Sequence, residues 1–161
     1  MLLVSVPDLG VRVPENMHKL LNTYVVGMSQ LEANTKDQHL VVVYTKADDM
    51  AAYFTLHWED LYSYLITDSM DGLAQLDKYM GQLRKVSDQL HEFTDWKARN
   101  FINLAQENFR SVTFSITSAL GTGPQGRTPI EIVPWRVLDP LLWMMEKSLP
   151  GWRQTLRRRW G

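Results

Sequence analysis

The sequence predicts an all-α chain: an antiparallel bundle of about four helices, with an extended N-terminal arm and a C-terminal amphipathic segment. Three observations point there. Apolar residues recur at spacings of three and four through most of residues 15–120. Glycine and proline cluster at residues 121–134, after that body. Short connections at 34–35 and 67–69 suit antiparallel neighbours.

The elements follow in order. Residues 1–14 read as an arm, because Pro7, Gly10 and Pro14 break regular structure and Val11 and Val13 alternate around Arg12 like a short extended piece. Pro14-Glu15 suits the first turn of a helix. Met17, Leu20, Leu21, Tyr24, Val25, Met28 and Leu31 then mark one helical face, ending near Asn34. Thr35-Lys36-Asp37-Gln38 matches a capping box. Leu40–Tyr44 taken alone could be a buried strand. The wider window favours helix, since Leu40, Val43, Tyr44, Ala47, Met50, Ala51, Phe54, Trp58, Leu61 and Leu65 keep one phase. The reading is one long helix, or two collinear ones, over about 36–67, a rod of ~45 Å at 1.5 Å per residue.

Asp68 or Ser69 can cap the next helix. Its seam is Leu73, Leu76, Met80, Leu83, Val86, Leu90 and Phe93, heptad-like and dressed with opposed charges. Thr94-Asp95 allows a kink. Trp96, Phe101, Ile102, Ala105, Phe109, Val112, Ile116 and Leu120 continue the phase. Residues 111–117 alternate apolar with Ser and Thr, which also fits a strand; the upstream phase favours helix. Trp135–Leu149 reads as a short apolar helix interrupted near Pro140, and Trp152–Trp160 as a last basic turn or two. The resulting divisions are an arm over 1–14, a bundle over 15–120, a connector over 121–134 and a Trp/Arg-rich segment over 135–161.

The chain has 161 residues, 45% of them hydrophobic, with 17 basic and 18 acidic side chains and no cysteine. That length fits one domain. The absence of Cys removes disulfides, thiolate nucleophiles and thiolate metal sites, and it suits a reducing compartment. No run reaches the roughly 18–20 apolar residues of a spanning helix. Met1–Val6 lacks the basic region of a secretory signal. The near-neutral total hides an asymmetry. Residues 1–126 carry 10 basic and 15 acidic residues, whereas residues 127–161 carry 7 basic and 3 acidic.

Several motifs carry chemical content, and each also has a plainer reading. Gly121–Gly126 spells G-x-G-x-x-G, but Pro129 and Pro134 fall where its helix should run, so it reads as a linker. Glu15/His18 and Asp88/His91 have the spacing of bundle metal pairs, yet Glu15 and Asp88 point away from the apolar faces. His57, Glu59 and Asp60 diverge on a helix, and His39 has no partner nearby in sequence. No cofactor, metal or catalytic site is expected.

The expected contact region is the C-terminal segment: Trp135, Trp143, Trp152, Arg153, Arg157, Arg158, Arg159 and Trp160. Trp favours the membrane–water interface and Arg reaches lipid phosphate. The same residue types dominate protein–protein contacts. A small basic footprint on an otherwise acidic chain argues against nucleic acid. The sequence thus predicts a non-catalytic accessory subunit of a larger, membrane-associated assembly. Its partners would be other protein subunits and anionic lipid, for example at the mitochondrial inner-membrane surface in a respiratory or ATP-synthase-type complex. A soluble helical adaptor is the alternative, and a small helical enzyme the third reading.

Overall fold

A computed structural model of the chain describes residues 1–5, 13–48, 58–67, 75–119 and 134–155. The elements are β1 (Leu2–Ser5), α1 (Val13–Gln30), β2 (His39–Thr45), α2 (Trp58–Ile66), α3 (Leu76–Asn108), β3 (Ser111–Ile116) and α4 (Asp139–Ser148). The strands form one parallel sheet in the order β1-β2-β3. The fold is therefore α/β, and the all-α expectation is corrected.

The correction has a local physical cause. His-Leu-Val-Val-Val-Tyr-Thr is rich in β-branched residues, which are stiff at χ1 and suit a pleated surface. A parallel strand is covered on both faces, so its apolar residues run on without alternating. Leu40–Tyr44 are five consecutive buried residues. Such a run contains members of any helical phase, which is why the long helix over 36–67 looked continuous. The expected capping box over 35–38 opens only a 3-10 turn, Thr35–Asp37, with the Asn34 side chain accepting from the Lys36 N–H. Met50, Ala51 and Phe54 of the expected rod lie outside the described residues.

β3 corrects the second helix reading. The helical phase ends at Phe109, where the backbone turns to φ −123° and ψ 149°. The alternation over 111–116 then belongs to a strand in register with β2, His39 opposite Ser111 and Tyr44 opposite Ile116. The extended arm supplies β1, with Leu2 opposite Val42 and Ser5 opposite Thr45.

The helices α1 and α3 follow their periodicity more closely. α3 runs for 33 residues and buries Leu76, Met80, Leu83, Val86, Leu90 and Phe93. Its kink sits at Ala98 (φ −142°, ψ 50°), a few residues beyond the anticipated Thr94-Asp95. α1 packs on α3 through Met17 and Leu21.

One face of the sheet carries Val42, Tyr44, Phe114 and Ile116, and it meets α3. Tyr44 lies edge-on to Phe93 with ring centroids 6.4 Å apart. α3 also closes the outer edge of β3, since the Phe114 N–H donates to Ser87 Oγ at 2.9 Å. The other face carries His39, Val41, Val43, Thr113 and Ser115. α4 packs against β2 and β3. Burial, then the charges of Lys147 on α4 and of Arg110, hold the His39 imidazole below its ordinary value. No described helix is long and apolar enough to cross a membrane.

Candidate functional site: the anchored C-terminal segment

Residues 134–155 return to the sheet. Trp135 forms an antiparallel bridge with Ser118, each N–H bonding the other's carbonyl at 2.8 and 3.0 Å. Arg136 follows in the left-handed region, φ 56°. Such a backbone is costly for a non-glycine residue and persists where its surroundings fix it. α4 begins at Asp139 with Pro140 in its first turn, where a missing N–H loses nothing. The proline that looked like an interruption is thus the start of the helix.

The surroundings that fix Arg136 are ionic and aromatic. Asp139 is fully buried and Arg136 only 3% exposed. Tyr64 of α2 donates its hydroxyl to Asp139 Oδ2, and Tyr79 of α3 donates to Asp139 Oδ1. Arg136 Nε donates to the Tyr64 carbonyl at 2.8 Å, and its Nη1 donates to the Tyr79 hydroxyl at 3.0 Å. The guanidinium lies 3.8 Å from the Tyr64 ring centroid, a cation–π contact. Burial raises the Asp139 carboxyl above its usual range, against the opposing pull of both tyrosines and Arg136. Burial, followed by the Asp139 charge, raises both phenols. Each polar head is spent on another member of the group, so the quartet clamps α2, α3 and α4 together.

A second, more open cluster holds the far end of α4. Arg153 Nε donates to Glu146 Oε2 at 2.9 Å, its Nη2 pairs with Glu146 Oε1, and its Nη1 reaches Asp77 at 3.3 Å. Trp152 is buried and its indole N–H donates to Glu146 Oε2 at 2.8 Å. Partial burial would raise the Glu146 carboxyl. The bonds from Arg153 and Trp152 and the charges of Arg153 and Arg84 outweigh it, and the net direction is down.

These contacts locate the predicted site residues. Trp143 and Trp152 are buried, Trp135 is partly buried, and Arg153 is paired. Arg157, Arg158, Arg159 and Trp160 lie outside the described residues, as do His57 and the glycine-rich motif at 121–126. Among the described residues no three metal-ligating side chains gather. His18 Nδ1 instead lies 3.2 Å from the Asn100 carbonyl, and His91 Nε2 lies 3.3 Å from Gln106. Sequence reasoning did not single out Tyr64, Tyr79, Arg136 or Asp139. The one usable signal was Asp139-Pro140, an acidic residue and a proline in the order that starts a helix.

The outer side of the segment differs from the inner. Val137, Leu138, Leu141, Met144 and Leu149 are exposed, at 50, 37, 51, 45 and 52%. No family model, curated protein or solved structure matches the chain.

Proposed function

We propose that the chain is a non-catalytic interaction subunit that docks on a partner protein through the outer face of α4. The observation that carries this reading is the contrast across that helix. Its inner side is fixed by the Tyr64–Asp139–Tyr79–Arg136 group. Its outer side presents Leu141 and Met144, half exposed, with Val137 exposed just before the helix and no charge among the three. Apolar anchors on a rigid element lose little entropy on binding.

Charge favours a protein over an anionic membrane for this face. Within the described part of the segment Arg136 is buried and Arg153 is engaged by Glu146 and Asp77. Lys147 leans over the Trp143 ring at 5.6 Å. Membrane attachment therefore rests on Arg157, Arg158, Arg159 and Trp160. The strongly shifted groups among the described residues, Tyr44, Tyr64, Tyr79 and Asp139, are buried and bonded to one another or to Thr94, which supports a structural use for them.

The test is assembly in the native source. The partner that copurifies with the wild-type chain is identified and reconstituted, and the variant Leu141→Glu/Met144→Glu is compared. Both positions are exposed, so the variant should fold normally by circular dichroism and lose the partner. Full retention of the partner overturns the reading. Sedimentation with phosphatidylserine vesicles that disappears on deleting residues 156–161 would replace it with the lipid reading.

A further inference from the structure

Among the described residues, the amino ends of β2 and β3 gather cations without a carboxylate to match them. His39 opens β2 and Ser111 opens β3, and the two are register partners on the face of the sheet that α4 covers. Their side chains are joined, His39 Nδ1 lying 2.7 Å from Ser111 Oγ. Arg110 immediately precedes Ser111. Its N–H donates to the Gln38 carbonyl at 2.9 Å, which sets it beside the start of β2.

α4 delivers the next cation. The chain enters that helix from Trp135, which is bridged to Ser118 beyond the carboxyl end of β3. The helix then runs back across β2 and β3. From Asp139 to Lys147 it advances about 12 Å, toward the amino end of the sheet. Lys147 sits one turn after the buried Trp143 on the same side of the helix, its Nζ 5.6 Å from that ring's centroid. It is itself half-buried.

The electrostatics agree with this placement. Burial first, then the charges of Lys147 and Arg110, hold the His39 imidazole below its ordinary value, and no carboxylate opposes them. The acidic residues nearest in sequence are engaged or exposed. Asp37 accepts from Asn34, Glu146 accepts from Trp152 and Arg153, and Glu107 is exposed on α3. Neither Lys147 nor Arg110 forms an ion pair with a described residue. Like charges brought together repel, and an anion between them removes the repulsion.

We propose that His39, Ser111, Arg110 and Lys147 form a binding site for a phosphate group. Arg110 and Lys147 supply two positive charges, against roughly two negative charges on a phosphate monoester near neutral pH. Each neutral tautomer of His39 leaves one further donor. With the proton on Nδ1, the ring donates to Ser111 Oγ and the serine hydroxyl is free to donate; with the proton on Nε2, that N–H is free. A protonated ring leaves both. A carboxylate, with one charge and two oxygens, would leave a cation unmatched.

The full chain is titrated calorimetrically with inorganic phosphate at constant ionic strength, with acetate as the control. Half-exposed charges are screened, so binding in the low-millimolar range is expected. Lys147→Met and Arg110→Gln should each weaken it about tenfold, and Ser111→Ala by a smaller factor, all with wild-type circular dichroism. The His39 ring, followed by NMR, gives a second reading that needs no variant. Bound phosphate should raise its titration midpoint above that found in chloride of equal ionic strength, because an anion favours the charged ring. Phosphatidic acid vesicles in place of inorganic phosphate distinguish the sources. Variant-sensitive binding to vesicles alone assigns the site to a lipid headgroup, and variant-sensitive binding to inorganic phosphate assigns it to a solute. Binding of neither overturns the proposal, as do acetate binding as tightly as phosphate, a His39 midpoint unchanged by the bound phosphate, or variants that bind as the wild type does.

Discussion

Two buried polar groupings, one where the sheet meets α3 and one at the start of α4, are built from different chemistry. On the α3 side, Tyr44 and Thr94 share a hydroxyl–hydroxyl bond of 2.7 Å, and Thr94 Oγ1 donates onward to the Leu90 carbonyl at 2.5 Å. All of it is neutral. On the α4 side, Tyr64 and Tyr79 converge on a carboxylate with a guanidinium beside them. The neutral pair finishes a core whose shape is already set by Phe93, Phe114 and Ile116. The charged quartet joins three separate helices across a long connection. Burying two charges is worthwhile only where each is bonded on several sides, and that condition fixes one geometry for α4.

The sharpest way to break this contrast is Asp139→Ala. It leaves Arg136 buried without a counter-charge and strips both tyrosines of their acceptor. A loss of about 3–5 kcal/mol is expected, the cost of leaving a buried charge uncompensated. Urea denaturation with an unchanged m-value would measure it. A loss below about 1 kcal/mol, within the range of exposed ion pairs, would show that the quartet is not the anchor.

A gentler comparison removes one hydroxyl from each side. Tyr79→Phe deletes a bond to a charged acceptor and should cost about 2 kcal/mol. Tyr44→Phe deletes a neutral bond and leaves Thr94 its contact with Leu90, so about 1 kcal/mol or less is expected. Equal losses in the same denaturation experiment would mean that ionisation at Asp139 contributes nothing to the clamp.

This contrast also explains what the sequence could convey. The seam Leu76–Phe93 was legible because a half-buried helix alternates by face, and the face shows in the pattern. β2 was obscure because Leu40–Tyr44 is buried on both faces and so has no pattern, only composition. Its three consecutive valines were the better guide than the helical phase. β3 carries a true period-two signal at Ser111–Ile116, masked by a helical phase running in from α3; the chain changes conformation at Phe109. The quartet was the least legible part. Tyr64, Tyr79, Arg136 and Asp139 are far apart in sequence and meet only through the fold, and a tyrosine bound to a carboxylate has no spacing to read. Trp152 and Arg153 did stand out, as residues suited to a partner. Part of what such side chains seek is inside the chain, at Glu146.

Glu146 gives the finest distinction, because α4 carries two carboxylates with opposite pH responses. Asp139 has a raised folded value, chiefly from burial. The native state then binds its proton more readily than the unfolded chain, so this group favours folding less as pH rises through the interval between the two values. Glu146 is lowered, because Arg153, Trp152 and Arg84 together outweigh its partial burial. The unfolded chain binds that proton more readily, so the stabilisation is complete above the ordinary glutamate range, about 4.3, and is lost as pH falls through the lower folded value. Glu146→Gln should therefore flatten the acid limb of a stability–pH profile below about pH 5, with a small loss near neutrality. The exposed surroundings of Arg84 and Asp77 keep the effect modest and make it shrink in high salt. An acid limb as steep in the variant as in the wild type would place the linkage elsewhere, and would leave Asp139 as the carboxylate through which α4 responds to pH.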